Sequence, residues 1–269
     1  MTSFFRYPGG KAKLQQKIIP KLGNIANLEY REPFFGGGSI GIAVLDQRPA
    51  SVWINDFDDG IAALWQSVIY YPALLKEQIR QLKPSVAAFD QIKSELSSKV
   101  PSCDSADQIA NFGLKKLAIH QLSYSGLGTK AGGPLGGKHQ RSKYKIDSRW
   151  SPNYMCAQID LIHAKFAGLE VCCTSVDFMA LIEDTSRRAI VFLDPPYWEK
   201  GSSLYQHAFS DADHQRLADA LRVTEHHWVL TYDDCPQIRA LYNWATIEVL
   251  EVKYSIAGSH TKNELLITA

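Results

Sequence analysis

The sequence lacks the features that mark secreted, membrane-spanning and metal-binding proteins. Its 269 residues include five cysteines, an odd number without a Cys-x-x-Cys pair, and there is no His-Glu-x-x-His element. No apolar run approaches the roughly 20 residues that cross a bilayer, and the first residues show no signal-peptide pattern. We therefore expect a protein of the reducing cytoplasm, with no metal site and no membrane attachment.

The chain also lacks a strong overall charge, since its formal net charge is +1. The charge is nevertheless distributed unevenly. Between Gly113 and Trp150, which we call the basic segment, eight lysines and arginines stand against the single acid Asp147. Positive charge concentrated in one stretch of an otherwise acidic chain is typical of a protein that binds a polyanion.

The pattern of apolar residues predicts an α/β protein. Strand and helix patterns alternate in residues 1–70 and again from 155 to 269, which predicts a doubly wound, Rossmann-like sheet. From 71 to 154 the alternation stops, and we predict an inserted, mainly helical lobe there. Two alternating runs, Thr246–Tyr254 and Glu264–Thr268, predict a C-terminal β-hairpin with its loop at Ser255–Lys262.

An apolar run at 189–192 leads directly into Leu193-Asp194-Pro195-Pro196-Tyr197. The run predicts a buried strand, and open α/β sheets carry their chemistry at the carboxyl ends of strands. Two prolines stiffen the turn because they fix two φ angles and remove two amide donors. The Asp194 carboxylate and the Pro195 carbonyl can then accept hydrogen bonds from one exocyclic amine, while the Tyr197 ring stacks on its heterocycle. We predict that these three residues form the catalytic pocket for an amino-bearing base.

A glycine-rich turn follows the first predicted strand. Gly36, Gly38 and Gly41 match the G-x-G-x-x-G pattern, and Asp56 lies 20 residues after Gly36. That pattern alone is typical of dinucleotide-binding proteins. The preceding strand is short and charged, however, and Glu32-Pro33-Phe34-Phe35 places aromatic bulk beside the turn. The turn could equally hold a nucleoside without phosphate, with Asp56 on its ribose.

Taken together, the motifs resemble those of the DNA adenine-N6 methyltransferase family typified by the Dam enzymes. They occur in the same order along nearly the whole chain: Tyr7-Pro8-Gly9-Gly10-Lys11, Glu32-Pro33-Phe34-Phe35-Gly36-Gly37-Gly38-Ser39, Asn55-Asp56, Asp177-Phe178 and Asp194-Pro195-Pro196-Tyr197. The resemblance implies S-adenosylmethionine as cofactor and methyl transfer to the N6 amine of a flipped adenine in double-stranded DNA. It also implies a set of cofactor-binding residues: Tyr7, Lys11, Phe35, Gly36, Gly38, Ser39, Asp56, Asp177, Phe178 and Asp194.

The inserted lobe is predicted to recognise DNA, because lysine and arginine contacts to phosphates supply affinity. The candidate contacts are Lys130, Lys138, Arg141, Lys143, Lys145 and, in the hairpin loop, Lys262. Tyr124, Tyr144 and Trp150 lie among these cations and could fill the space of the flipped base or pack in the core. The Arg-x-Asn-x-x-Gly-x-Phe-Asn element of better-known Dam members is absent, so a GATC target does not follow. We expect a monomer or weak dimer.

Two other functions remain open at this point. Cytosine-N4 methyltransferases activate an exocyclic amine in the same way but usually present Ser-Pro-Pro where this chain has Asp194-Pro195-Pro196. A catalytically silent DNA-binding protein of the same fold is the non-enzyme alternative. Nucleoside analysis of methylated DNA distinguishes all three.

Overall fold

The computed structural model of the protein describes residues 4–98, 103–199, 208–254 and 260–269, and for 252–254 and 260–262 it describes the backbone alone. In these ranges we number seven strands and ten α-helices. The strands are β1 (Glu29–Glu32), β2 (Ser51–Asn55), β3 (Glu170–Thr174), β4 (Ala189–Leu193), β5 (His227–Asp233), β6 (Thr246–Tyr254) and β7 (His260–Thr268). The helices are α1 (Gln15–Leu22), α2 (Ser39–Val44), α3 (Asp59–Tyr70), α4 (Pro72–Gln81), α5 (Val86–Ser97), α6 (Ala106–Leu122), α7 (Pro152–Phe166), α8 (Met179–Glu183), α9 (Asp211–Val223) and α10 (Pro236–Leu241).

The seven strands form one sheet in the order β3-β2-β1-β4-β5-β7-β6. The first five are parallel, and β7 runs antiparallel to both β5 and β6. The strand order reverses between β1 and β4, so the carboxyl ends of these two strands flank a crevice in which open α/β sheets bind ligands. The predicted doubly wound, Rossmann-like fold with a C-terminal hairpin is confirmed.

Helices cover both faces of the sheet, and the central strand β4 shows why. All five of its residues are buried, as expected for a parallel strand between two layers. Because successive side chains alternate, Ile190 and Phe192 join the apolar cluster beneath α1–α7, while Val191 and Leu193 join the cluster beneath α8–α10.

The predicted inserted lobe, residues 71–154, contains α4, α5 and α6 followed by irregular chain with two short 3-10 helices, Gly128–Lys130 and Ile146–Arg149. α6 begins with a capping box between Ser105 and Gln108 and packs along α3. Gly113 makes this close packing possible, because a Cβ there would lie 2.7 Å from the Leu64 Cα. Most of the buried apolar residues of α6 belong to the same core cluster as those of the sheet. Assigning DNA recognition to this lobe stays a prediction.

The C-terminal hairpin is longer than the sequence suggested. The predicted loop at 255–262 was too long by three residues, because β7 begins at His260 and its partner β6 extends to Tyr254. Residues 255–259 lie outside the described part of the chain. No helix in the described ranges is long and apolar enough to cross a membrane.

Candidate active site

A cleft of about 400 Å³ opens at the carboxyl ends of β1, β2 and β4, where the strand order reverses. Its walls come from six segments that are separate in sequence: residues 7–11, 32–40, 55–58, 177–178, 192–196 and 208–213. All ten predicted cofactor-binding residues line it. The parallel register of the sheet explains this, since it brings the turns after β1, β2 and β4 to one edge.

The glycine turn after β1 is shaped by close aromatic packing. Gly36 and Gly38 have φ angles of 47° and 67°, which side-chain-bearing residues seldom adopt. A Cβ on Gly36 would lie 2.6 Å from the Tyr7 ring, and one on Gly38 would lie 2.8 Å from both Phe35 and Trp65. Trp65 also donates a hydrogen bond from Nε1 to the Gly36 carbonyl (2.8 Å). The turn is therefore held against a rigid aromatic layer.

Asn55 ties together the ends of the first three strands. Its Nδ2 donates to the carbonyls of Pro33 and Val176, both at 3.0 Å, and its Oδ1 accepts from the Thr174 hydroxyl (2.8 Å) and the Val176 amide (2.9 Å). These four bonds satisfy the buried amide completely. They fix the position of the next residue, Asp56.

Asp56 accepts backbone hydrogen bonds from the Gly36 amide (2.8 Å) and the Asp58 amide (3.0 Å), one on each carboxylate oxygen. Burial and the neighbouring Asp58 carboxylate raise the pKa of Asp56 to about 7, against the opposing effect of these bonds. Each oxygen keeps a second lone pair. Asp56 thus supports the glycine turn and still presents an acceptor to the cleft.

Asp58 begins α3 and pairs with a lysine from the inserted lobe. Its Oδ1 accepts from the Gly60 and Ile61 amides at 3.0 and 3.1 Å, and its Oδ2 contacts the buried Lys116 ammonium. Burial alone would raise the pKa of Asp58, but the Lys116 charge outweighs it, and the pKa lies below its ordinary value. This pair joins α6 to the wall of the cleft.

Glu32, the last residue of β1, is a cleft residue to which sequence reasoning gave no separate role. It is buried, and the Tyr30 hydroxyl donates to its Oε2 at 2.6 Å. Burial raises the pKa of Glu32 well above its ordinary range, and the negative charges of Asp194 and Asp56 add to this effect. The Asp194 and Asp56 charges thus disfavour a further negative charge at Glu32.

Asp194 lies directly after β4 and is engaged through both carboxylate oxygens. Thr231, from β5, donates to Oδ1 at 2.8 Å, and the Lys11 ammonium lies 2.9 Å from Oδ2. Burial raises the pKa of Asp194 although Lys11 opposes the shift, and the nearby Glu264 carboxylate raises it further. Lys11 lies 3.8 Å from Glu264 and donates to the Gly9 carbonyl at 3.0 Å.

Pro195 is buried, and Tyr197 is half-buried beside it. The Lys11 ammonium lies 4.8 Å from the centre of the Tyr197 ring, within cation–π range. Behind this ring, the Tyr232 ring lies at 6.3 Å, and its hydroxyl shares a hydrogen bond of 2.5 Å with His214 Nδ1. The His214 ring in turn packs 4.6 Å from Trp198. A continuous aromatic layer thus supports the catalytic turn.

Phe178 and Asp177 form the far wall of the cleft. Phe178 packs against Phe34 and Phe209, with ring centres 5.6 and 5.2 Å apart. Asp177 is exposed, accepts from the Met179 amide at 2.9 Å, and pairs with Arg216 at 3.1 Å. Phe178 is only 5% exposed, and the Arg216 guanidinium lies over its ring at 5.2 Å, while the Asp177 carboxylate beside it is exposed.

The structure divides the basic segment into two groups. Lys115 and Lys116 pair with Glu95 and Asp58, so they hold α6 in place and are not available to a polyanion. The remaining predicted DNA contacts of the lobe are exposed: Lys130, Lys138, Arg141, Lys143 and Lys145. The side chain of Lys262 lies outside the described part of the chain.

The three aromatic residues of the basic segment also differ. Trp150 is buried and packs in the core, whereas Tyr124 and Tyr144 are 72% and 62% exposed. Arg149, which we counted among the cations, donates to the carbonyls of Ser123 and Tyr124 at 3.2 Å. It therefore fixes the base of the exposed Tyr124.

In the described ranges no group of three His, Cys, Asp or Glu side chains is arranged to hold a metal ion. Sequence reasoning missed Thr231, Glu264 and His214 as neighbours of the catalytic turn. Their signal was weak, because each is one polar residue in or beside a strand or helix far along the chain. The strand order brings Thr231 and Glu264 close to Asp194, and His214 contacts Tyr232 and Trp198 from α9.

The cleft lies within the part of the chain that matches a known protein family. A family model described as D12 class N6 adenine-specific DNA methyltransferase matches residues 7–256, which include every residue that lines the cleft. Among solved structures, the chain is similar to a Pyrococcus horikoshii crystal structure described as a "putative RNA methyltransferase". The two are 12% identical, the alignment covers 98% of this chain and 83% of that one, and the TM-score is 0.42. No curated protein matches the chain.

Proposed function

Because the chain belongs to the family of D12 class N6 adenine-specific DNA methyltransferases, we propose that its cleft binds S-adenosylmethionine and that Asp194, Pro195 and Tyr197 hold the target adenine beside it. The observation that carries the proposal is the position of Asp194. Its carboxylate lies at the point where the strand order reverses, and it lines the same cleft as the glycine turn and Asp56.

The residues of the cleft fit this cofactor. The glycine turn packs so closely on Tyr7, Phe35 and Trp65 that a Cβ at Gly36 or Gly38 would clash with them, so its backbone is held firmly in the wall of the cleft. Acidic side chains, among them Glu32, Asp56, Asp177 and Asp194, outnumber the one lysine among the described lining residues, and a bound sulfonium cation would favour their ionised forms. The apolar face of Phe178 and the carboxylate of Asp177 suit an adenine ring and its amine. When bound, S-adenosylmethionine would supply the electrophilic methyl group.

The cofactor-binding roles follow from these positions. Asp56 would accept hydrogen bonds from the ribose hydroxyls with its remaining lone pairs. Phe178 would stack on the cofactor's adenine, and Asp177 would accept from its amine. Tyr7, Phe35 and Ser39 would shape the glycine turn between the ribose and adenine sites. The Ser39 hydroxyl accepts a hydrogen bond from the Lys11 amide at 3.0 Å.

The chain's contribution to the reaction is to position and activate the amine. The lone pair of an adenine N6 amine is conjugated into the ring, so the amine is a weak nucleophile. Hydrogen bonds from this amine to the Asp194 carboxylate and the Pro195 carbonyl would favour a tetrahedral nitrogen and free that lone pair. Lys11 and Thr231 hold the Asp194 carboxylate in one orientation. After transfer, the raised pKa of Asp194 makes it a suitable acceptor for the proton that N6 releases.

Tyr197 would stack on the target adenine after the base leaves the duplex, because the amine cannot be reached inside the helix. One face of its ring is partly covered by the Lys11 ammonium. The aromatic layer of Tyr232 and His214 keeps the ring from turning away.

The inserted lobe would bind double-stranded DNA through its exposed lysines and Arg141. Their exposure, and that of Tyr124 and Tyr144 among them, supports this assignment. All five cysteines are free, which fits a reducing compartment such as the cytoplasm. We expect the enzyme to act as a monomer or weak dimer.

The test is transfer of labelled methyl from S-adenosylmethionine to duplex DNA, followed by nucleoside analysis. We expect N6-methyladenine as the product. Asp194→Ala should lower the transfer rate by at least about a hundredfold while the protein stays folded, because the amine loses its main acceptor. The exposed acid Asp219 on α9 provides a matched control, and Asp219→Ala should methylate normally. N4-methylcytosine as product, or full activity of Asp194→Ala, would overturn the assignment.

A further inference from the structure

A buried cluster of three charges lies beneath the catalytic turn. The Lys11 ammonium is 2.9 Å from Asp194 Oδ2 and 3.8 Å from Glu264 Oε2. The side chains of Lys11 and Glu264 are 4% and 3% exposed, and that of Asp194 is 16% exposed. With all three groups ionised, two carboxylates and one ammonium leave the cluster with a single net negative charge.

Glu264 is not needed to balance the charge of the cluster. Lys11 and Asp194 alone would form a neutral pair with good geometry. Glu264 lies in β7, opposite Asp233 of β5 and Leu250 of β6, and its strand neighbours Leu265 and Leu266 are buried and apolar. A second buried carboxylate in such a strand is costly to desolvate. Its position beside the reacting group accounts for that cost.

We propose that Glu264 is a positioning residue for methyl transfer: it shares the Lys11 ammonium with Asp194 and thereby keeps the cluster negative beside the reacting amine. This inference rests on the proposed function of the cleft. Without Glu264, the Lys11 charge would neutralise Asp194 in full. With it, a negative field remains at the place where the amine is held.

The reaction makes such a field useful. The N6 nitrogen forms a bond to the methyl carbon as the bond from that carbon to sulfur breaks, and the electron pair of the broken bond stays on sulfur. Positive charge therefore moves from sulfur to N6, next to Asp194. The excess proton on N6 then passes to the Asp194 carboxylate and on to solvent. A negative charge that is fixed in advance stabilises this shift most effectively in a buried site.

The pH dependence of the rate reports this arrangement. Asp194 is surrounded by Lys11 of the N-terminal segment, Thr231 of β5, Glu264 of β7 and, at longer range, Glu32 of β1. Lys11 favours the ionised form of Asp194, and the two glutamates disfavour it. Removing the Glu264 charge should lower the pKa of Asp194. The acidic limb of the rate profile should then move to lower pH.

The experiment compares Glu264→Gln with Glu248→Gln in the full chain. Glu248 is an exposed acid on β6 that pairs with Lys21, so its substitution changes net charge equally without touching the cluster. We measure the single-turnover rate on duplex DNA between pH 5 and 9, and S-adenosylmethionine affinity by calorimetry. We expect Glu264→Gln to slow transfer at least about tenfold at its optimum. Its cofactor affinity should stay within about twofold, and its acidic limb should shift downward.

Each outcome decides the proposal. A wild-type rate and an unchanged pH profile for Glu264→Gln would overturn it, as would an equal loss in Glu248→Gln. If Glu264→Gln fails to fold, Glu264→Asp replaces it, since aspartate keeps the charge on a shorter side chain. A slower rate with a shifted acidic limb in Glu264→Asp supports the proposal, and an unchanged pH profile overturns it. Wild-type protein that forms no N6-methyladenine would instead refute the function of the cleft.

Discussion

At the scale of single residues, the cleft owes its shape to positions where no other side chain fits. Gly38 has a φ of 67° and lies under Phe35 and Trp65, two buried rings that cannot move aside easily. Gly132, in the inserted lobe, has open space around it and no positive φ. The two glycines therefore form a matched pair for mutation.

We predict that Gly38→Ala lowers the free energy of unfolding by about 2–4 kcal/mol, since left-handed strain and a clash with two rings add together. Gly132→Ala should change it by less than about 0.5 kcal/mol. Urea denaturation of both variants measures the difference. Equal stabilities would show that the turn adapts to a Cβ.

Asp56 should make cofactor binding depend on pH. Its pKa of about 7 in the folded protein lies above the ordinary 3.8, so folding takes up a proton between these values. Protonation of Asp56 thus favours the folded state at low pH. This stabilisation is lost, and the free energy of unfolding falls, as pH rises from about 4 to 7. A ribose that donates to Asp56 favours the carboxylate form. We thus expect S-adenosylmethionine binding at pH 7 to release a proton, and affinity to rise from pH 6 to 8.

Calorimetry in two buffers of different ionisation enthalpy measures this release. Asp56→Asn is the control, since it removes the titrating group while keeping an acceptor oxygen. Identical apparent enthalpies for wild-type protein in the two buffers would contradict a direct contact between Asp56 and the ribose.

At the scale of elements, the start of α3 joins the cleft to the inserted lobe. Asp58 caps the helix and also neutralises the buried Lys116 of α6. We predict that Asp58→Ala lowers the free energy of unfolding by about 3–5 kcal/mol, because it leaves that ammonium buried without its partner. Ser85→Ala, which removes the ordinary cap of α5, should cost about 1 kcal/mol. Similar losses in the two variants would show that the ion pair contributes nothing.

Element prediction from sequence succeeded where the local pattern was strong. The structure of the apolar run before Asp194, and that of the glycine turn after β1, is each determined by a few adjacent residues. The neighbours of Asp194 could not be found this way, since Thr231 and Glu264 reach it only because β5 and β7 pair beside β4. Likewise, the charge count of the basic segment could not reveal that Lys115 and Lys116 face acids across helices.

At the scale of the whole molecule, lysines occur both in the inserted lobe and at the ends of helices that lead into the sheet. The exposed loop with Lys143 and Lys145 belongs to the inserted lobe. Lys21 and Lys165 instead lie in the last turns of helices that lead to the amino ends of strands, away from the cleft. The Lys21 carbonyl oxygen lies 2.8 Å from His227 Nε2 at the start of β5, and α7 precedes β3. This separation provides a matched control for DNA binding.

We predict that the double variant Lys143→Ala, Lys145→Ala weakens DNA binding and lowers the slope of log affinity against log salt by up to about two. The double variant Lys21→Ala, Lys165→Ala should keep the wild-type slope, because its lysines form surface ion pairs with Glu248 and Asp46. Fluorescence anisotropy over a salt series measures both. An unchanged slope in the first variant would exclude this loop from the DNA interface.

The position of β7 also sets the order in which the strands can pair during synthesis. β6 joins the sheet only through β7, which the ribosome produces after it. A nascent chain that has emerged as far as β6 therefore has a free sheet edge at β5, and Lys11 has only one of its two acidic neighbours. The cluster of Lys11, Asp194 and Glu264 can therefore form only after β7 has left the exit tunnel.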